Sequence, residues 1–136
     1  MINPINFSYP LLIDGGLSNE LEAQGCDLNH QLWSAQLLDK RPKAIIEAHL
    51  AYLFAGAKCI ITSNYQSSIS GFTDCGYSLD EAKKMILKSV ELAEIAINSY
   101  TNNMQPNYKP LIAASIGPYG AYLADGSEYH GNYHVS

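Results

Sequence analysis

Three short apolar runs constrain the fold of this chain more than any other feature of its sequence. They lie at residues 11–13, 59–62 and 111–115, and each has the length and composition of a strand that is buried on both faces. Segments with helical features separate them. Parallel neighbouring strands need crossover connections, and helices then cover both faces of the sheet. The alternation therefore predicts a parallel α/β fold.

The segment between the first two runs predicts more than one helix. A first helix is expected at residues 18–23, where Ser18 is placed to act as the N-cap and Gly25 as the left-handed stop. A second, weaker helical stretch covers residues 29–40 around Trp33. Both helices precede a stronger one.

The two strongest helices carry clear start signals. Pro42 suits the first turn of a helix whose apolar residues recur at helical spacing until Gly56 ends it. Ser78 and Glu81 have the spacing of a capping box, and they begin a long amphipathic helix that ends in the polar stretch 101–110. The glycine- and tyrosine-rich remainder, from residue 116 onward, has no period and predicts an irregular functional loop.

Composition excludes several classes of function. The 136 residues are 47% hydrophobic, which indicates one globular unit, and the net charge of -5 with eight Lys and Arg gives no basic patch for nucleic acid. No segment has 18 uninterrupted apolar residues, so we expect no membrane contact and a cytoplasmic location. Cys26, Cys59 and Cys75 form no CxxC pair and are interpreted as small buried or half-buried residues.

Polar clusters follow all three predicted strands. The first is Asp14-Gly15-Gly16, the second begins at Thr62, and the third includes Ser115. In parallel α/β folds the ligand lies outside the carboxyl ends of the strands. We therefore expect one site that three loops share.

The Asp14-Gly15-Gly16 turn suits a zwitterionic ligand. The Asp14 carboxylate would take an ammonium group, while the bare backbone of the two glycines offers N–H groups to a carboxylate. Phosphate fits less well because Asp14 would repel it and no phosphate-loop motif is present. A purely structural alternative stays open, in which Asp14 caps the following helix and the glycines only make the turn.

Three longer strings carry a family resemblance. The strings IDGGLSNELEAQGCDLNHQLWSAQLL, HLAYLFAGAKCIITSNYQSS and ASIGPYGAYLADGSEYHGNY occur in this order from about residue 10 to the last residue. Together they resemble the N-terminal part of homocysteine S-methyltransferases, and more narrowly the bacterial enzymes that use S-methylmethionine or S-adenosylmethionine as methyl donor.

The resemblance implies a (β/α)8 barrel that binds homocysteine at the carboxyl ends of its strands. It implies a Zn²⁺ ion, held by three cysteine thiolates, that activates the homocysteine sulfur for attack on the methyl group of a sulfonium donor. By the same resemblance, Asp14 and the amides of Gly15 and Gly16 would hold the amino-acid end of homocysteine, and Thr62 and Asn64 would line the pocket.

The resemblance also implies a methyl-donor side. Trp33 lies where the family has an aromatic residue near the donor, and a tryptophan face can host a sulfonium by cation-π attraction. Ordinary burial against the helical layer is the alternative role of Trp33. The loop from residue 117 to 133 resembles the family's lid over the donor. Tyr119, Tyr122 and Tyr129 are its candidate contacts, with loop packing as the alternative role.

The sequence departs from the family at the metal. The family's ligand cysteines lie downstream of this region, so none is assigned here, and no residue is assigned as catalytic. We interpret residues 1–136 as the N-terminal portion of a single homocysteine-binding barrel domain, with about three of its eight strands. Unpaired strand edges in such a piece favour self-association or domain swapping. A noncatalytic truncated remnant or interaction fragment is the alternative, and another amino-acid- or phosphate-binding barrel is a third.

Overall fold

A computed structural model describes residues 10–29 and 32–133 of the chain, without the side chain of Trp33. The α-helices are α1 (Leu17–Ala23), α2 (Leu37–Lys40), α3 (Pro42–Phe54), α4 (Ile69–Asp74), α5 (Leu79–Met104), α6 (Tyr119–Leu123) and α7 (Ser127–His130). The strands are β1 (Cys59–Ile61) and β2 (Leu111–Ala113), and a 3-10 helix covers Trp33–Gln36. No helix within these ranges has the length and apolarity that a bilayer-crossing segment requires.

The sheet is parallel, as the alternation of elements predicts. β1 and β2 pair in register, with Cys59 opposite Leu111. The predicted first strand joins the other side of β1 through a parallel bridge between Ile13 and Cys59. On one side of that bridge, Lys58 donates its N–H to the Leu12 carbonyl at 2.8 Å, and on the other Asp14 donates its N–H to the Cys59 carbonyl at 3.0 Å. β1 therefore lies between the first apolar run and β2, and the prediction of a parallel α/β fold is confirmed.

The prediction that the strands are buried on both faces is wrong for the first run and for β2. Leu12 and Ile13 are 55% and 52% exposed, and the three residues of β2 are half-buried. Only β1 has a buried core, at Cys59 and Ile60. The described helices cover the central strand and leave apolar surface on its neighbours, so this surface is open to further contact.

The two strong helix predictions are confirmed. α3 begins at Pro42, and the chain leaves it through Gly56 at a φ of +106°. At the start of α5, the Ser78 hydroxyl accepts from the Glu81 N–H at 3.3 Å, and the Glu81 carboxylate accepts from the Ser78 N–H at 2.8 Å. This is the predicted capping box. The helix then continues to Met104, into the polar stretch where the sequence predicts its end.

The first helix begins earlier than predicted. Its N-cap is Gly16, without a side-chain hydrogen bond, so the assignment of Ser18 as N-cap is wrong. Extended backbone at Gly16 lets the helix start at Leu17, which places Ser18 inside the first turn. Gly25 follows the helix at a φ of +76°, as predicted for the stop. The weak stretch 29–40 forms the 3-10 helix and α2 within its described part.

The sequence pattern did not predict the short helices. The segment from residue 116, predicted to be irregular, contains α6 and α7, and the polar loop after β1 contains α4. The Ser68 hydroxyl caps α4 by accepting from the Gly71 N–H at 2.9 Å. These helices have four to six residues, fewer than two turns, so they show no hydrophobic period.

The core lies between the sheet and the layer formed by α3 and α5. Leu53 of α3 packs with Ile97 and Tyr100 of α5 and with Ile60 of β1. A second hydrophobic cluster packs the residues around α1 and α2 against the N-terminal halves of α3 and α5. His49 is fully buried in α3.

The burial of His49 generates a stability prediction. Neither ring nitrogen has a hydrogen-bond partner in the described part of the chain, and burial lowers the pKa of His49 from 6.5 to about 4. The unfolded state therefore binds a proton that the folded state excludes. We expect His49 to remove about 3 kcal/mol of folding free energy as the pH falls from 6.5 to 4.

Urea denaturation across this pH range measures the effect. His49→Leu should flatten that part of the stability profile, because leucine fills the site without a titrating group. Leu87→Gln, a change at an exposed residue of α5 that adds no titrating group, is the control and should keep the wild-type slope. Equal slopes in wild type and His49→Leu would contradict the assignment.

Candidate functional site

The three strand ends are tied together by hydrogen bonds that cross between them. The Asp14 Oδ2 atom accepts from the Ile61 N–H at 2.8 Å, which joins the first apolar run to the end of β1. The Thr62 Oγ1 atom accepts from the Ser115 N–H at 2.9 Å, which joins the end of β1 to the segment after β2. The structure thus brings the three predicted polar clusters to one edge of the sheet.

Asp14 is buried at this edge, and only one of its two carboxylate oxygens has a hydrogen-bond partner in the described part of the chain. The residue is 8% exposed, and the oxygen without a described partner is Oδ1. Burial raises the pKa of Asp14, and the hydrogen bond from the Ile61 N–H works in the opposite direction. Asp14 makes no cap for α1, so the purely structural interpretation of this residue as a helix cap is wrong.

The two glycines form an exposed turn with unused amides. Among the described residues, no hydrogen bond is made by the N–H of Gly15 or Gly16. Tyr52 of α3 fixes the turn by donating its hydroxyl to the Gly16 carbonyl at 2.9 Å. A Cβ at Gly15 would lie 3.1 Å from the Tyr52 ring, so the ring packs closely on the turn. No sequence pattern singles out Tyr52, because its contact depends on how α3 packs against the turn.

Thr62 and Asn64 form a hydrogen-bonded pair at the end of β1. The Thr62 hydroxyl donates to Asn64 Oδ1 while it accepts from the Ser115 N–H. This arrangement directs the amide nitrogen of Asn64 away from Thr62, where it can donate to another group. Ser63, which belongs to the polar cluster predicted after the second strand, is also buried here, and its hydroxyl has no partner in the described part of the chain.

The aromatic residues predicted on the donor side separate into different roles. Tyr119 is 49% exposed, and its ring lies 5.6 Å from that of Tyr122. Tyr122 donates its hydroxyl to Asp74 at 2.9 Å and so holds α6 against α4. Tyr129 is 88% exposed and lines a cavity beside α7. The side chain of Trp33 lies outside the described part of the chain.

The cysteines do not form a metal site. Cys26 and Cys59 are buried and Cys75 is half-buried, as the sequence predicts. Burial, and then the negative charge of Asp14, raise the pKa of the Cys59 thiol and disfavour the thiolate that a metal would need. No three His, Cys, Asp or Glu residues in ranges 10–29 and 32–133 group as ligands. The residues described here therefore do not fit the zinc site that the family resemblance implies.

The fold and the polar groups at the ends of its strands together define a class of protein. This is a parallel α/β chain whose strand ends present a buried carboxylate, exposed glycine amides and a threonine–asparagine pair on one side. The sequence profile described as Homocysteine S-methyltransferase matches residues 11–136. The chain belongs to the homocysteine S-methyltransferase family, whose named members are enzymes.

Individual relatives agree with the family. The chain is 49% identical to homocysteine S-methyltransferase YbgG of Bacillus subtilis, over 99% of this chain and 45% of the relative. It is 50% identical to the Escherichia coli homocysteine S-methyltransferase, over 93% of this chain and 41% of the relative. The chain thus spans less than half the length of these relatives.

A solved structure matches the fold as well. The homocysteine methyltransferase MmuM from Escherichia coli, in its metallated form, superposes with a TM-score of 0.86 and 50% sequence identity. The match covers 93% of this chain and 44% of the solved one. The short parallel sheet and its helices therefore have the arrangement of a known homocysteine methyltransferase.

Thr62 generates a prediction about this edge. Thr62→Val keeps the shape of the side chain but leaves the Ser115 N–H without its acceptor. We expect a loss of about 1–3 kcal/mol in the free energy of unfolding, with faster hydrogen exchange at the Ser115 amide. Thr62→Ser keeps the hydroxyl and should retain the slow exchange. Unchanged exchange in Thr62→Val would show that this hydrogen bond does not hold the edge together.

A second prediction concerns the close approach of the segment after β2 to the loop after β1. A Cβ at Gly117 would lie 1.8 Å from the Tyr65 carbonyl oxygen, a backbone atom that cannot move alone. Gly117→Ala should therefore destabilise the fold by about 3 kcal/mol in thermal unfolding. Ile116→Ala changes the preceding residue, which is 90% exposed, and should have little effect. Similar melting temperatures for both variants would contradict this packing.

Proposed function

We propose that this chain provides the homocysteine-binding part of an enzyme that transfers a methyl group from a sulfonium compound to homocysteine, giving methionine. The observation that carries the proposal is the Oδ1 atom of Asp14 beside the amides of Gly15 and Gly16, all without a hydrogen-bond partner among the described residues. Membership in the homocysteine S-methyltransferase family supports the identity of the ligand.

The amino-acid end of homocysteine would be held by opposite charges. Its ammonium group binds the Asp14 carboxylate, and its carboxylate accepts from the amides of Gly15 and Gly16. Oδ1 is shielded from water in this structure. The Cβ–Cγ torsion of aspartate is broad, so a small rotation of the carboxylate would present this oxygen to the ligand while Oδ2 keeps its hydrogen bond from the Ile61 N–H. An ammonium partner stabilises the ionised form of Asp14, which burial alone disfavours.

Thr62 and Asn64 would form the wall of the pocket. Their mutual hydrogen bond fixes the Asn64 amide, which leaves its nitrogen as a donor towards bound substrate. On the donor side, Trp33 and Tyr119 would offer aromatic faces to a sulfonium group, which carries a full positive charge. S-methylmethionine and S-adenosylmethionine are the donors that the family resemblance suggests.

The chemistry proposed here is a direct displacement. The homocysteine thiolate attacks the methyl carbon, a new carbon–sulfur bond forms, and the donor's carbon–sulfur bond breaks with its electrons returning to sulfur. The thiol proton is released. The metallated form of the solved relative supports a metal requirement, and we propose zinc. The described residues do not fit such an ion.

We also propose that the chain is the N-terminal portion of a (β/α)8 barrel domain that acts in the cytoplasm. The likeness to the solved homocysteine methyltransferase supports the placement in a larger fold. The half-exposed side chains of Leu12 and Ile13 are apolar surface that further strands would cover. The same surface would promote self-association when it is left open.

Asp14→Asn tests the proposal in the protein as expressed from its gene. The amide still offers an oxygen to the Ile61 N–H, but it cannot provide a negative charge for the ammonium group. We expect homocysteine affinity, measured by isothermal titration calorimetry, to fall roughly ten- to hundredfold, as loss of a charged hydrogen bond does. The metal content should stay the same.

Asp27→Asn is the matched control, because it makes the same change at an exposed aspartate. It should bind homocysteine like the wild type. Wild-type affinity in Asp14→Asn would refute the assigned role of Asp14. Absence of methionine formation from homocysteine and S-methylmethionine by the metal-loaded wild-type protein would refute the proposed reaction.

A further inference from the structure

A cavity lies between the loop after β1 and the pair of short helices α6 and α7. Its volume is about 200 Å³, and it is lined by Gln66, Ala121, Ala124, Gly126, Glu128 and Tyr129. None of these residues belongs to the Asp14 turn. Pockets for drug-sized ligands have roughly 300–1,000 Å³, so this cavity has room for one end of a substrate.

Glu128 provides an unused acceptor at this cavity. Its Oε2 atom is shielded from water and has no hydrogen-bond partner in the described part of the chain. A shielded carboxylate oxygen without a donor is costly, and a bound group with N–H donors would remove that cost. An ammonium group supplies both the N–H donors and the positive charge. A sulfonium supplies the charge but no N–H.

Gln66 provides a donor at the same cavity. The hydroxyl of Ser34, a buried residue of the 3-10 helix, donates to Gln66 Oε1 over a long distance of 3.4 Å. This contact occupies the oxygen of the Gln66 amide, which leaves its Nε2 group as the donor that is not yet used. A carboxylate is the natural acceptor for it. Acceptor and donor thus line one cavity, as an amino-acid zwitterion requires.

Tyrosines surround the acceptor. Tyr129 lines the cavity directly, and Tyr65 lies near enough that the charge of Glu128, after burial, helps to raise the pKa of the Tyr65 hydroxyl. Tyr133 reaches the same region, since a Cβ at Gly120 would lie 2.8 Å from its hydroxyl and 2.6 Å from the Glu128 nitrogen. Aromatic rings beside a carboxylate favour a cationic ligand group.

We infer that this cavity is a second amino-acid site, which holds the α-ammonium group of the methyl donor on Glu128 and its α-carboxylate on the Gln66 amide. The inference rests on the proposed function, because that reaction needs a second substrate beside homocysteine. Both donor compounds considered above end in an α-amino acid, so one site serves either. The two substrates would then each be held by a carboxylate and a set of N–H donors, at separate loops of the same edge.

Calorimetric titration of S-methylmethionine into the protein as expressed from its gene tests this inference. Glu128→Gln should weaken S-methylmethionine binding roughly ten- to hundredfold, because a charged hydrogen bond is lost. Homocysteine binding should stay within twofold of the wild type. Gln66→Leu should also weaken S-methylmethionine binding, and to a smaller extent. The control Glu94→Gln, at an exposed position of α5, should change neither affinity.

A ligand control separates the ammonium from the sulfonium. Dimethylsulfoniopropionate has a sulfonium and a carboxylate but no amino group, so its affinity should be the same for wild type and Glu128→Gln. Circular dichroism and thermal unfolding confirm that each variant is folded. Glu128→Asp retains the charge, so it should recover part of the S-methylmethionine affinity. It replaces Glu128→Gln in this test if that variant does not fold.

Three outcomes would overturn the inference. They are a wild-type protein that does not bind S-methylmethionine, a Glu128→Gln variant that binds it normally, and a variant that loses homocysteine instead. None depends on turnover. The proposed function fails separately, when the wild-type protein makes no methionine or when Asp14→Asn keeps its homocysteine affinity.

Discussion

The hydrogen bond between Asp14 and Ile61 is the interaction on which the functional edge depends. The Asp14 backbone N–H donates to the Cys59 carbonyl at 3.0 Å, while its carboxylate accepts from the Ile61 N–H two residues further along β1. One residue thus pairs with β1 through both its backbone and its side chain. The first apolar run makes only a single bridge to the sheet. The carboxylate therefore extends strand pairing beyond the bridge, and it fixes the position of the glycine turn that follows.

This arrangement has a cost that points to function. The carboxylate is buried with one oxygen unsatisfied, and burial raises the pKa of Asp14. A residue that served only to pair with Ile61 would be as effective with an amide, which needs no ionised group in a shielded place. A ligand with an ammonium group gives the second oxygen its partner. Glu128 repeats the pattern at another loop, with an unsatisfied oxygen at a cavity that also offers an amide donor.

Sequence alone predicted the parts of the fold that rest on local rules. The capping box at Ser78, the proline start of α3 and the glycine stops follow from backbone geometry that a few neighbouring residues determine. The N-cap of α1 lies two residues before the predicted one, and α4, α6 and α7 were not predicted. Helices of four to six residues have too few turns to show a period. Strand burial was overestimated because it depends on which elements cover the strands, and that is not a property of the runs themselves.

The site was predictable in part for the same reason. Asp14, Gly15 and Gly16 were identifiable because they directly follow an apolar run, and Thr62 and Asn64 because they follow the next. Gln66 belongs to the polar cluster that follows the second run, although no role was predicted for it. Tyr52 and Glu128 were not identifiable, because each reaches its place through tertiary packing. Tyr52 lies on α3 and contacts the glycine turn through its hydrogen bond to Gly16. Gln66 is oriented by a hydrogen bond from Ser34, which is distant in sequence. The quoted family strings suggest homocysteine as the ligand, which the local pattern could only describe as a zwitterion.

The titration of the Asp14 carboxyl group in the presence and absence of homocysteine tests the central claim most directly. Carbon-13 NMR of the Asp14 Cγ atom reports this pKa. In the protein without ligand we expect it above the ordinary aspartate value, because the group is buried. Homocysteine should lower it, because the ammonium group stabilises the carboxylate. A pKa that homocysteine leaves unchanged, while the ligand is shown to bind, would contradict the account.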